Sequence, residues 1–161
     1  MSVPPTVSKP RQALALAGFL ALTLTAGFLA SLVTAPNIPG WYAHLAKPSF
    51  NPPNGIFAPV WTTLYVLMAI AAWRVWRKAG PRPLGLYALQ LALNFAWSFL
   101  FFGAHAVGAA LLEIALLFVL VLFTMRAFWR LDRIAGWLFL PYAAWVFFAG
   151  VLNAAIWRLN G

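Results

Sequence analysis

The 161-residue chain contains no cysteine and only two acids, Glu113 and Asp132. Without cysteine there is no disulfide framework, zinc ribbon, iron–sulfur site or thiol nucleophile. With one Glu, one Asp and no glycine-rich phosphate loop, the sequence offers no assembled set of nucleophile, base and orienter. Charge as a whole is scarce. It amounts to 8% of residues, where a soluble domain carries roughly a quarter. That is too little to clothe a water-facing surface, so a soluble globular domain is excluded. A hydrophobic content of 64% excludes a disordered chain as well. A polytopic α-helical membrane protein is what remains. The net charge of +9 does not indicate nucleic acid as a partner, because the basic residues fall between apolar runs instead of forming one patch.

Five segments are long and apolar enough to span a bilayer. They run over about 13–35, 56–76, 84–103, 106–128 and 134–157. The expected fold class is an all-α five-transmembrane-helix bundle. Residues 1–12 read as an N-terminal extension and 13–159 as a single transmembrane domain. A cleaved signal peptide is the rival reading of the first segment, but its apolar run exceeds the usual roughly 7–15 residues. The linkers at 77–83, 104–105 and 129–133 are short, so successive helices are expected to pack as antiparallel neighbours. Nine of the eleven basic residues lie on the N-terminal side of the spans: Lys9, Arg11, Arg74, Arg77, Lys78, Arg82, Arg126, Arg130 and Arg133. Lys47 and Arg158 lie on the other. The positive-inside rule then puts the N-terminus in the cytoplasm.

The connection at 36–55 carries Pro36, Pro39, Pro48, Pro52 and Pro53, with Trp41, Tyr42 and Phe50. Proline fixes φ, so this segment should be stiff. It reads either as a lid over the bundle or as an interfacial connector with aromatic anchors.

Polar and aromatic residues within the spans follow helical spacing. Gln90, Asn94, Trp97, Ser98 and Phe101 share one face of the third helix. That face should look inward, as a pocket wall or as hydrogen-bonding glue between helices. Ala88, Ala92 and Ala96 line the opposite face. Such a run admits close backbone approach, either from a second copy of the chain or from a neighbouring helix. Thr23, Gly27 and Ser31 make a similar run on the first helix. Trp61, Tyr65 and Met68 align on the second helix, and Tyr142, Trp145, Ala149 and Asn153 on the fifth. Trp61, Trp97 and Trp145 sit deep in their spans, which favours a pocket for a large, flat, mostly apolar ligand. Trp41, Trp73, Trp76, Trp129, Trp137 and Trp157 read as interfacial belt residues. Glu113, the one acid within a span, is a candidate for proton coupling. His44 and His105 read as surface residues, and no metal site is expected. Asp132 reads as a solvated ion pair with Arg130 and Arg133.

Residues 41–65 carry Trp41-Tyr42, Leu45-x-Lys47-Pro48, Pro52-Pro53 and Trp61-x-x-Leu64-Tyr65. Further on come Gln90, Asn94 and Trp97, then Pro141-Tyr142, Trp145 and Leu152-Asn153. Together these resemble the signature of the TspO/MBR family over about residues 14–159. The resemblance implies a five-helix bundle, usually a homodimer, covered on one side by its first loop. It implies binding of porphyrins such as protoporphyrin IX and haem, with benzodiazepine-site ligands and sterols as further classes. The implied role is sensing, regulating or translocating tetrapyrroles in a bacterial cell membrane. No cofactor is required, and a light- or oxygen-dependent breakdown of porphyrin is the alternative activity. Carried over by position, Trp61 and Trp145 match tryptophans implicated in porphyrin chemistry. Asn94, Trp97 and Ala149 match pocket positions, and Trp41 and Tyr42 match the lid. Tyr65, Ser98 and Asn153 join them as expected ligand contacts, and Ala88, Ala92 and Ala96 are the expected dimer seam. Ser49 and Phe50 stand where many relatives carry tryptophan. The segment 151–158 lacks the tyrosine of the animal cholesterol motif.

Overall fold

The computed structural model describes residues 8–161. Of the N-terminal extension, residues 1–7 lie outside the described residues. Among the described residues, five helical spans are long and apolar enough to cross a membrane: α1 (Lys9–Thr34), α2 (Phe57–Ala79), α3 (Leu84–Ser98, carried on by a π turn at Phe99–Gly103), α4 (Val107–Leu131) and α5 (Arg133–Asn160). The protein is an integral membrane protein.

The main contacts run α1 to α2, α2 to α5, α5 to α4, α4 to α3 and α3 back to α1, with α4 and α5 packed most extensively. The helices therefore close a ring in the order 1–2–5–4–3. The expectation that α2 and α3 would be close neighbours is corrected. Their connection is short, yet they barely touch. Gly80 adopts φ +73, and Pro81 and Pro83 follow it, so the chain turns sharply away from α2. α3 then reaches α1 and α4.

Outward faces carry Leu14, Phe28, Leu112, Phe123 and Phe147, all exposed. This suits lipid, where apolar side chains cost nothing to expose. Inside, hydrophobic transfer gives little drive, because lipid tails are as apolar as the core. Packing and hydrogen bonds must hold the helices together. Met68, Phe128, Phe139 and Tyr142 are fully buried, and the small residues Ala69, Ala71 and Ala72 bring α2 close to its partners. Between the helices runs a hydrogen-bonded chain. Tyr65 donates to Asn94 Oδ1 at 2.7 Å, and Asn94 Nδ2 donates to Tyr142 Oη at 3.3 Å. Tyr142 in turn donates to Gln90 Oε1 at 2.8 Å. This chain joins α2, α3 and α5. Thr23 and Tyr87 share a hydrogen bond that ties α1 to α3.

Asp132 corrects a second expectation. It is buried, and it pairs with Arg74 at 3.0 Å and Lys78 at 2.9 Å, both on α2. Arg130 and Arg133 are not its partners. The single extended residue between α4 and α5 aims the carboxylate inward, where it also caps α5 by accepting from the Ala135 N–H at 3.1 Å. Burial alone would raise its pKa. Lys78, the Ala135 N–H and Arg74 outweigh that and hold it at about 2.

The first half of the 36–55 connection is helical. α1 continues through a 3-10 turn at Ala35–Asn37 and a π turn at Ile38–Tyr42. Pro36 and Pro39 lack an N–H and crowd the preceding turn, so the helix changes pitch there without ending. The remainder is fastened to the bundle. Asn160 at the end of α5 holds Ala46 from both sides, accepting from its N–H and donating to its carbonyl, each at 2.9 Å. Tyr42 donates to Asn51 Oδ1 at 2.8 Å. Trp41 stacks on His105 at 4.1 Å, and His105 also meets Asn37 at 3.0 Å.

Candidate functional site

Below this fastened connection lies a cavity of about 420 Å³. Its volume falls within the usual range of small-molecule sites. Four helices build it. α2 supplies Phe57, Trp61 and Tyr65, and α3 supplies Trp97 and Ser98. α5 supplies Trp145, Ala149, Leu152 and Asn153, and α1 supplies Gly27, Phe28 and Ser31. Tyr42 contributes from above. The exposed members of the lining all come from α1, α2 and the turns beside them, among them Phe28, Ser31, Ala58 and Thr62. The mouth therefore opens sideways between α1 and α2, toward lipid. Ser31 and Thr62 turn their hydroxyls back to the backbone carbonyls of Phe28 and Ala58. The rim is thus largely apolar, apart from the exposed Asn54.

The inner wall is aromatic. Trp61 stacks on Tyr65 at 5.6 Å and meets Trp145 edge-on at 6.5 Å. Phe57 packs against Trp145 at 6.1 Å. Trp97 lies over Phe101 at 5.2 Å, and its indole N–H donates to Asn153 Oδ1 at 3.0 Å. Trp145 Nε1 is buried and meets no acceptor among the described residues. A buried indole N–H normally finds a partner.

The structure gathers most of the residues singled out from sequence. Tyr42, Trp61, Tyr65, Trp97, Ser98, Trp145, Ala149 and Asn153 all line the cavity. Two do not. Trp41 lies outside it, packed on His105, Phe101 and Phe102. Asn94 sits behind Tyr65, and both ends of its amide are occupied by Tyr65 and Tyr142. Asn153 lines the wall, but its amide is likewise used, accepting from Trp97 and donating to the Val107 carbonyl at 2.9 Å. These amides bond helix to helix. On α3, Ala88 and Ala92 face outward and Ala96 is half-buried.

Sequence reasoning missed the wall formed by α1. That helix is apolar all round, so periodicity gave it no preferred face. The usable signal was the small run through Gly27. A Cβ built there would come within 2.3 Å of the Tyr65 ring. Glycine is what lets Tyr65 reach across to α1.

Glu113 stands on α4, outside the cavity lining, with both carboxylate oxygens buried and without a hydrogen-bond partner among the described residues. An unpaired buried charge is costly. Glu113→Gln keeps the shape without the charge, so thermal unfolding in detergent should show an equal or higher midpoint. A fall of several degrees would mean that the carboxylate makes a stabilising contact.

The ring of five helices, the lipid-facing exterior and the lateral aromatic cavity define a polytopic helical membrane protein with an aromatic cavity inside its bundle. The chain belongs to the TspO/MBR family, whose model matches residues 19–158. It is 41% identical over 149 residues to a translocator protein of Sus scrofa, an overlap covering 89% of this chain and 88% of that protein. A tryptophan-rich protein TspO of Chlorobaculum tepidum is 41% identical over 155 residues, covering 93% and 98% of the two chains. A tryptophan-rich sensory protein of Cereibacter sphaeroides is 44% identical over 121 residues, covering 74% and 77%.

Proposed function

We propose that this protein binds a porphyrin or haem-type tetrapyrrole between its helices and serves as a sensor or translocator of such molecules. The observation that carries the reading is the aromatic wall of Trp61, Tyr65, Trp97 and Trp145 around a cavity open to lipid. A flat apolar macrocycle is the ligand shape that such walls grip by stacking. The sideways mouth suits a molecule that partitions into the bilayer before it binds. No cofactor is needed for this role. Names among the relatives, translocator protein and tryptophan-rich sensory protein, support the same range of roles.

The membrane of residence is a bacterial cell membrane, with the N-terminus in the cytoplasm as the distribution of basic residues suggests. The outward Ala88 and Ala92 support a homodimer joined along α3.

The test is a titration of the purified chain with protoporphyrin IX in the dark, followed by tryptophan quenching. Saturable quenching at about one ligand per chain is expected, because the cavity has room for a single drug-sized molecule. Unsaturable quenching that simply follows detergent volume would contradict the reading.

A second reading rests on the edge contact of Trp61 with Trp145. Two indoles against one macrocycle would supply the oxidisable partner for light-dependent porphyrin breakdown. It requires a change in the porphyrin spectrum under illumination that Trp61→Phe abolishes while binding persists. Proton-coupled transport draws no support from Glu113, which stands apart from the cavity.

A further inference from the structure

The opposite end of the bundle holds a second recess, of about 380 Å³. Arg74 and Lys78 of α2 line it, together with the α4–α5 corner from Trp129 to Ile134. Arg130 and Arg133 complete the lining, so four cations face one carboxylate, that of Asp132. Asp132 is already held by Arg74 and Lys78. Among the described residues neither Arg130 nor Arg133 has an ion-pair partner, and both are exposed. The Nε of Arg74 is buried without an acceptor. The recess thus keeps an excess of positive charge at a fixed place. Asp132 organises the cations without neutralising them all.

The surroundings indicate where an anion would come from. Leu131, Ile134 and Trp137 are exposed beside the recess. Trp129, which lines it, packs against Trp137 at 4.6 Å. Gly136 lets the Trp129 ring lie on α5, since a Cβ there would come within 2.6 Å of it. Charged side chains at the ends of spanning helices, next to tryptophans and exposed aliphatic groups, lie at the level of lipid headgroups. We propose that this recess binds the phosphate of an anionic phospholipid, with its acyl chains along Leu131, Ile134 and Trp137. Basic pockets between helices are suited to such headgroups, and guanidinium groups match phosphate oxygens in paired geometry. A free phosphate ion shares the headgroup chemistry but has no use for the apolar rim.

Native mass spectrometry of the full chain in detergent tests this. The protein is offered equal amounts of dioleoyl phosphatidylglycerol and dioleoyl phosphatidylcholine. The wild type should retain the anionic lipid preferentially. Arg130→Gln with Arg133→Gln leaves the Asp132 ion pairs intact and should lower that preference roughly tenfold. Lys9→Gln with Arg11→Gln removes the same charge from the same end, outside the recess, and should leave the preference unchanged. Equal losses in the two double variants would reduce the effect to general surface charge and overturn the site. Retention of phosphatidylglycerol no better than phosphatidylcholine would also overturn it. Displacement of the lipid by millimolar inorganic phosphate would assign the recess to the free ion and overturn the lipid.

Discussion

Replacing Asp132 with alanine should destabilise the folded protein by about 3 kcal/mol, the largest single effect expected from an ionisable group in this chain. The change leaves Arg74 and Lys78 facing each other without their shared counter-ion, and it uncaps α5 at the Ala135 N–H. The wild type should show the same dependence through pH. The folded-state pKa of about 2 lies below the ordinary 3.8, so the carboxylate stabilises the fold above pH 4. That stabilisation, about 2 kcal/mol, is lost as pH falls toward 2. Thermal unfolding measured by intrinsic fluorescence between pH 6 and pH 2 should fall steeply at the acid end in the wild type. In Asp132→Asn that acid-dependent fall should be nearly absent, from a midpoint already lowered at pH 6. Parallel curves for the two proteins would mean that the ion pairs contribute nothing.

Adding one methyl group at position 27 should disturb the site almost as much. The Cβ of alanine would come within 2.3 Å and 2.5 Å of two Tyr65 ring carbons. The ring cannot simply retreat. It is held through its hydroxyl by Asn94 and lies against Trp61. Accommodation must break the bond to Asn94, leaving a buried amide oxygen unpaired, or push α1 away from α2. Either route costs about 2 kcal/mol. Both reshape the wall of the cavity, so porphyrin affinity should drop by about tenfold. Gly27→Ala combined with Tyr65→Leu should cost less than the sum of the two single losses, because the shorter side chain clears the new methyl group. Strictly additive losses in that cycle would show that residues 27 and 65 do not meet.

Much of this arrangement was legible in the sequence. Scarce charge and five long apolar runs were enough for the bundle. Helical spacing placed Gln90, Asn94, Ser98 and Phe101 on one inward face, and all four are buried. Spacing could not say what that face touches. A polar residue in an apolar span must point inward whether it serves a ligand or another helix. Only the partner atoms separate the two, and for Asn94 they are Tyr65 and Tyr142. The contribution of α1 was hidden for the opposite reason, since an all-apolar helix gives no direction to its faces. Arg130 and Arg133 are the cations nearest to Asp132 along the chain, but neither holds it. The ring order instead brings α2 against α5, and with it Arg74 and Lys78, more than fifty residues away. Pro36 and Pro39 mark a stiff connection, but nothing in their spacing shows that 3-10 and π turns carry the helix past both.

The central claim is that the ligand sits inside the bundle and not on its surface. Ala149 is half-buried in the cavity wall on α5, and a phenylalanine there would occupy the space beside Trp145. The deciding measurement is the affinity of Ala149→Phe for protoporphyrin IX, set beside the wild type and Ala115→Phe, whose substitution lies on the lipid-facing side of α4. With thermal midpoints alike, Ala149→Phe should lose about tenfold or more in affinity and Ala115→Phe none. Equal affinity in all three proteins would place the porphyrin outside the cavity and contradict the account.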